Sequence, residues 1–180
     1  VLTDPVREEA AEAVKRLRWM GIDTWMVTGD QRATAEVVAH DVGILKVFAG
    51  VPPEQKANVV AQAQATGLKV AMVGDGINDA PALSRADLGI AMAGGADVAL
   101  ETGDIVLLHG ALRDVQRALR LARRTLTVVR QNLFLAFVYN VVAIPVAALN
   151  ELNPMLAAAA MAASSLSVVC NSLRLRRLPI

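Results

Sequence analysis

Two carboxylates and an amide lie within five residues in the run Val73-Gly74-Asp75-Gly76-Ile77-Asn78-Asp79-Ala80-Pro81. Magnesium takes oxygen ligands and commonly binds through one or two carboxylates plus phosphate oxygens. Gly74 and Gly76 allow the backbone to turn sharply beside such a ligand. A lone Asp-Gly pair reads better as an ordinary turn, but the whole run is too rich in ligand atoms for that. Two weaker elements can join it. Thr28-Gly29-Asp30 offers a hydroxyl and backbone N–H groups to a phosphoryl oxygen, although a turn with a helix cap looks the same. Lys56 in Pro53-Glu54-Gln55-Lys56 offers a cation, although alone it reads as a solvated surface lysine. Together they supply hydroxyl, cation and metal-binding carboxylates, the means of stabilising a transferring phosphoryl group.

These residues need a scaffold, and the flanking sequence predicts one. Asp4 to Met20 reads as a helix with Asp4 as N-cap and Pro5 in the first turn, stopped by Gly21. Strands are expected at 23–27, 47–49, 69–73, 88–92 and 105–108, and helices at 32–41, 53–66 and 78–85, with a helical turn at 97–101. Strand and helix alternating through short links predict a mostly parallel sheet covered by helices. Ligands in such sheets bind beyond the carboxyl ends of the strands. Thr28-Gly29-Asp30 and Gly74-Asp75-Gly76 both follow strands, so they are expected on one rim.

The second half of the chain differs in character. Of the 180 residues 54% are hydrophobic, and the excess falls late: from Leu133 to Leu173 the one charged residue is Glu151. A basic helix from Ala111, carrying Arg113, Arg117, Arg120, Arg123, Arg124 and Arg130, leads into Leu133–Leu149. Met155–Leu173 follows, closed by Arg174, Arg176 and Arg177. Each apolar stretch is about 17–19 residues, close to what spans a bilayer. A pair of buried core helices is the plain alternative. Arginines at both outer ends and none in the short loop favour a membrane hairpin with both ends, and the α/β domain, cytoplasmic. A net charge of +1 and 3% aromatics argue against nucleic-acid binding. The single Cys170 gives no disulfide or paired-cysteine site and reads as packing. The opening Val-Leu-Thr-Asp, without Met or a signal peptide, suggests a C-terminal fragment of a longer protein.

Thr28-Gly29-Asp30, Lys56 and Gly74-Asp75-Gly76-Ile77-Asn78-Asp79-Ala80-Pro81 resemble the phosphorylation domain of P-type ATPases, in the haloacid-dehalogenase superfamily. Asp4-Pro5-Val6-Arg7 resembles the D-P-x-R motif on its hinge side. The resemblance implies an α/β fold, a partial haloacid-dehalogenase-like Rossmannoid parallel sheet, followed by an α-helical transmembrane hairpin. It implies the end of a phosphorylation domain over 1–112, a basic linking helix over 113–131, membrane helices over 132–150 and 154–173, and a basic tail over 174–180. Asp75, between Gly74 and Gly76, would coordinate Mg2+, with Asp79 and Asn78 supporting the metal and phosphate site. Lys56 would contact the phosphoryl group or the nucleophilic aspartate, and Thr28 would hydrogen-bond the phosphoryl group. ATP would be the fuel. The D-K-T-G-T segment with the phosphorylated aspartate does not occur in these residues, nor do T-G-E and a nucleotide-binding domain. The isolated chain is therefore expected neither to hydrolyse ATP nor to transport.

Polar groups in a membrane span are costly and raise a functional hypothesis. Here they include Tyr139 and Asn140, followed by Pro145, which removes a helix hydrogen bond, and then Met161, Ser164, Ser165 and Ser167. A thioether suits a soft ion such as Cu(I); otherwise Met161 fills space and the serines pack helices. Tyr139-Asn140 with Met161-x-x-Ser164-Ser165 resembles the last two membrane helices of Cu(I)-exporting heavy-metal ATPases. The resemblance implies Tyr139, Asn140, Met161 and Ser165 as transport-site residues, with Ag(I) as a second cargo. Zinc, cadmium and lead relatives place a Lys and an Asp in these spans, and neither occurs here. The partners implied are the lipid bilayer, the N-terminal part of the same pump and a cytosolic copper chaperone; the location implied is a bacterial plasma (inner) membrane. The rival readings are a Zn(II)/Cd(II) pump fragment, a soluble phosphatase of the same superfamily and a non-catalytic membrane interaction module.

Overall fold

A computed structural model describes residues 8–75, 78–92, 103–108, 110–148 and 154–177. The expected Asp4 cap, the Asp4–Arg7 motif, Gly76 and the helical turn at 97–101 lie outside these residues. The chain divides into two compact units, Val1–Gln116 and Arg117–Ile180.

The first unit alternates helices and strands. Helix α1 spans Glu8–Trp19, strand β1 Trp25–Val27, α2 Arg32–Val42, β2 Lys46–Phe48, α3 Pro53–Ala65, β3 Ala71–Gly74, α4 Ala80–Arg85, β4 Leu88–Met92 and β5 Ile105–Leu107. Glycines end helices as expected: Gly43, at φ +76°, caps α2 by donating to the Ala39 and His40 carbonyls. Such a left-handed residue accepts glycine without a Cβ penalty. Every strand pair is parallel. β1 pairs with β2, with Met26 opposite Val47. β4 lies between β3 and β5, with Val73 opposite Ile90 and Ala91 opposite Val106. The described strands thus form a two-stranded and a three-stranded parallel sheet rather than one continuous ladder.

Packing follows the apolar pattern. Leu83 of α4 and Ala91 of β4 are buried against Met72 and Val106. A Cβ on Gly89 would sit 2.8 Å from the Leu83 carbonyl oxygen, so the α4–β4 approach depends on that glycine. One cross-link was not legible in the sequence. Asp87 accepts from Lys69 Nζ at 2.6 Å, Gln64 Nε2 at 3.0 Å and the Val70 N–H at 3.0 Å. These contacts tie the end of α3, the entry to β3 and the entry to β4 at one point. They hold the Asp87 carboxyl well below the usual carboxylate range, Lys69 first, and pull the Lys69 ammonium up.

The second unit is helical. Helix α5 runs unbroken over Leu112–Ala148, 37 residues, and its first turn, with Val115 and Gln116 buried, falls in the first unit. The basic segment and the first apolar stretch, expected as separate pieces, are one helix that also contains Pro145. Helix α6 spans Pro154–Leu173 and passes into a 3₁₀ turn over Arg174–Arg177. Both helices are long and apolar enough to cross a membrane.

Candidate functional site

A mostly buried ion pair in the first unit joins two of the residues expected to do chemistry. Lys56 Nζ lies 2.7 Å from Asp79 Oδ1, and both side chains are mostly buried, at 15% and 11% exposure. Lys56 sits in the first turn of α3, opened by Pro53. Asp79 sits at the N-terminal boundary of α4. The sequence alone reads Lys56 as a solvated lysine; the fold makes it the partner of a buried carboxylate. A buried pair is held by mutual attraction and loses heavily if one partner goes, because the other charge is left without compensation.

Gly74 is the reason Asp79 fits. A Cβ built on Gly74 would lie 2.7 Å from Asp79 Cβ and 2.9 Å from Cγ, closer than real atoms approach. The requirement at Gly74 is therefore space for a carboxylate. Beyond it, Asp75 is exposed at the end of β3, and Asn78 is exposed with its N–H 3.4 Å from Asp75 Oδ1. The two acids are thus differentiated: Asp79 is engaged by Lys56 and Asp75 faces solvent.

Thr28 follows β1, and its N–H donates to the Phe48 carbonyl at 2.9 Å. The Thr28 hydroxyl donates to Asp30 Oδ2 at 2.8 Å and accepts from the Asp30 N–H at 3.1 Å, a local side-chain turn. The backbone then ties this turn to the next connection. Gly50 N–H donates to the Asp30 carbonyl at 2.8 Å and Val51 N–H to the Thr28 carbonyl at 2.9 Å. Val51 leads through Pro52 into α3, and so to Lys56 and Asp79. Thr28-Gly29-Asp30, Lys56 and Asp79 are therefore linked by a continuous series of contacts although the two sheets share no ladder among the described residues.

The donor chemistry can be compared with that of a metal. Among the described residues no three His, Cys, Asp or Glu side chains come together. A closed all-protein site is therefore not formed by them. An exposed carboxylate and amide at a strand end suit a cation that takes one or two carboxylates and completes its shell with phosphate oxygens and water, which is the behaviour of Mg2+.

The residues expected to hold a transported ion are less assembled. Asn140 is exposed, and its amide donates to the Ala136 carbonyl of its own helix at 3.0 Å. Met161 is 73% exposed, Ser165 is exposed and Tyr139 is half-buried. Helices α5 and α6 instead join through side-chain amides. Asn171 Nδ2 donates to Asn132 Oδ1 at 2.9 Å and Gln131 Oε1 at 3.3 Å, and Asn132 Nδ2 donates to Ser172 Oγ at 2.8 Å. In the sequence Asn171 is one more polar residue near the end of the second apolar stretch. Its partners are about 40 residues earlier, and no local pattern connects them.

The sequence model of the haloacid dehalogenase-like hydrolase family matches residues 1–87. A copper-exporting P-type ATPase of Legionella pneumophila is 49% identical over 187 residues, covering 100% of this chain and 25% of the relative. A probable copper-exporting P-type ATPase V of Mycobacterium tuberculosis is 54% identical over 176 residues, covering 98% and 23%. The crystal structure of a zinc-transporting PIB-type ATPase in an E2.Pi state superposes with a TM-score of 0.86 at 38% identity, covering 96% of this chain and 28% of that one. The chain thus spans about a quarter of the length of the curated relatives it matches. With Asp79 of the Gly74–Pro81 motif paired to Lys56, parallel sheets, two long apolar helices and matches along nearly its whole length, the chain is similar to P-type ATPases.

Proposed function

We propose that this chain supplies the magnesium side of the phosphorylation site and two membrane helices of an ATP-driven Cu(I) export pump that works through an aspartyl-phosphate. The observation that carries this reading is the buried Lys56–Asp79 pair beside the exposed Asp75. Asp75 would hold Mg2+, with Asn78 beside it, and the metal would neutralise charge on the phosphoryl oxygens. Lys56 places a cation at the same edge, oriented by Asp79. Thr28 and the Gly29 and Asp30 backbone would take a phosphoryl oxygen, the Thr28 hydroxyl exchanging its Asp30 partner for it. The nucleophilic aspartate and the nucleotide-binding residues would come from outside these 180 residues.

On the membrane side, the soft Met161 thioether with Tyr139, Asn140 and Ser165 supports Cu(I), and Ag(I) as a second cargo. Their exposure in this two-helix segment suits a site completed by other helices. The copper naming of the relatives near 50% identity supports the same cargo. The zinc-transporting structure at 38% identity supports the fold and makes Zn(II) the second reading. We place the helices in a bacterial plasma membrane, their arginine-flanked ends and the α/β unit in the cytoplasm, where a copper chaperone would deliver the ion. The 180-residue chain alone should give no acid-stable phosphoenzyme from ATP.

The test joins this segment to an N-terminal part carrying D-K-T-G-T and a C-P-C helix. Cu(I) should stimulate ATP hydrolysis, and Met161→Leu should reduce that stimulation while phosphorylation from inorganic phosphate is retained. Stimulation by Zn(II) with none by Cu(I) would move the assignment to the second reading.

A further inference from the structure

A groove of about 470 Å³ opens between α5 and α6 where the arginine-bearing ends of the hairpin meet. Its α5 wall is one helical face: Thr127, Arg130, Gln131 and Phe134 recur at three- and four-residue spacing. Arg174, just past α6, closes the opposite side. Neither Arg130 nor Arg174 has a carboxylate partner among the described residues. Between Val115 and Leu173 the one acidic residue in the sequence is Glu151, 21 positions from Arg130 and 23 from Arg174. The groove therefore carries two uncompensated cations.

The amide network shapes it further. Asn171 Nδ2 donates to both Gln131 Oε1 and Asn132 Oδ1, which fixes the Gln131 oxygen toward Asn171. The Gln131 NH2 is left as a donor with no partner among the described residues. From Asn132 to Ala148 the helix rises about 24 Å, close to one hydrocarbon thickness. The arginines thus lie at headgroup depth, and Phe134 lies about 6 Å further along α5 from Arg130. A phosphate with an apolar tail matches this order of cation, amide donor and aromatic ring. Basic pockets between membrane helices on the cytoplasmic side take anionic lipid headgroups.

We propose that this groove binds the phosphate of an anionic phospholipid, held by Arg130, Arg174 and the Gln131 amide, with an acyl chain against Phe134. The proposal rests on the membrane reading of α5 and α6, and insertion is measured separately. The 180-residue chain would be reconstituted in nanodiscs of mixed phosphatidylglycerol and phosphatidylcholine, and retained lipid counted by native mass spectrometry. Resistance to carbonate extraction from vesicles reports insertion. Phosphatidylglycerol should be enriched at least about fivefold, the worth of one arginine near an anionic surface. The Arg130→Gln/Arg174→Gln double substitution should abolish the enrichment. Arg176→Gln, a basic residue at the same end that does not line the groove, should leave it intact. Circular dichroism checks that helix content is kept, and the wild-type enrichment decides the matter if it is not. Inserted chain with no phosphatidylglycerol preference would overturn the proposal, as would equal loss with Arg176→Gln. Displacement of the lipid by polyglutamate at matched charge would also overturn it and assign the groove to an acidic protein segment.

Discussion

The two units treat their polar residues in opposite ways. In the α/β unit the expected chemical residues are already engaged: Lys56 grips Asp79, Thr28 and Asp30 bond each other, and Gly50 and Val51 tie that turn to α3. In the helical unit Met161, Ser165 and Asn140 face outward, and the polar contacts that join the helices lie elsewhere, at Asn132, Asn171 and Ser172. A phosphate site built on one domain's strand ends can be organised by that domain alone. An ion site between membrane helices needs ligands from several helices. On this view substitutions in the first unit cost stability, and those at the proposed cargo residues cost function only.

The largest test of that contrast is Lys56→Met. It leaves the Asp79 carboxylate mostly buried without a cation and should destabilise the first unit by about 3 kcal/mol. Urea unfolding followed by tryptophan emission reads this unit selectively, because Trp19 and Trp25 both lie in it. Adding Asp79→Asn should recover part of the loss; a single substitution without effect would remove the pair from any structural role. Gly74→Ala comes next. The new methyl group must displace the Asp79 side chain, and overpacking of this kind costs about 1–3 kcal/mol. A crystal structure of that variant with the Lys56–Asp79 contact unchanged would contradict the account.

Met161→Leu sharpens the other side of the comparison. The side chain is exposed and the swap conserves volume, so unfolding should shift by less than about 0.5 kcal/mol. A large destabilisation would mean that Met161 is structural after all. The smallest effect expected is at Asp87, whose folded-state carboxyl lies below its ordinary value because Lys69, Gln64 and Val70 bind its charged form. A depressed pKa contributes stability that is present above the unfolded value, about 3.9. That contribution is lost as pH falls through the folded value. Asp87→Asn should flatten the stability profile below about pH 4 and lower it above. Parallel profiles for the two proteins would rule the contact out as a source of acid sensitivity.

Much of this was legible in the residues alone. Gly21, Gly43 and Gly67 punctuate the helices where left-handed backbone occurs, and the predicted strand at 88–92 is β4. The remaining strands shift by one or two residues because hydrogen-bonded register, rather than apolar content, sets their ends. The apolar stretches within α5 and α6 and their charge bracketing were equally plain, because a 20-residue apolar run has few other uses, whereas the fusion of the basic segment with the first stretch into one 37-residue helix was not.

What the residues determined by themselves was the chemical inventory: carboxylates in a glycine-rich turn, a lysine on a helix, a thioether among small polar residues in a span. Local spacing states which groups are available, since backbone geometry over a few residues depends on a few side chains. Tertiary structure decided which groups meet. Only the packing of α3 against α4 turns Lys56 from a surface cation into the partner of Asp79. Only that proximity explains why Gly74 must lack a Cβ. Only the hairpin brings Asn171 to Gln131 and sets Arg130 and Arg174 around one groove. Contacts across 23 or 40 residues depend on how whole elements pack, and no short window of sequence contains that information.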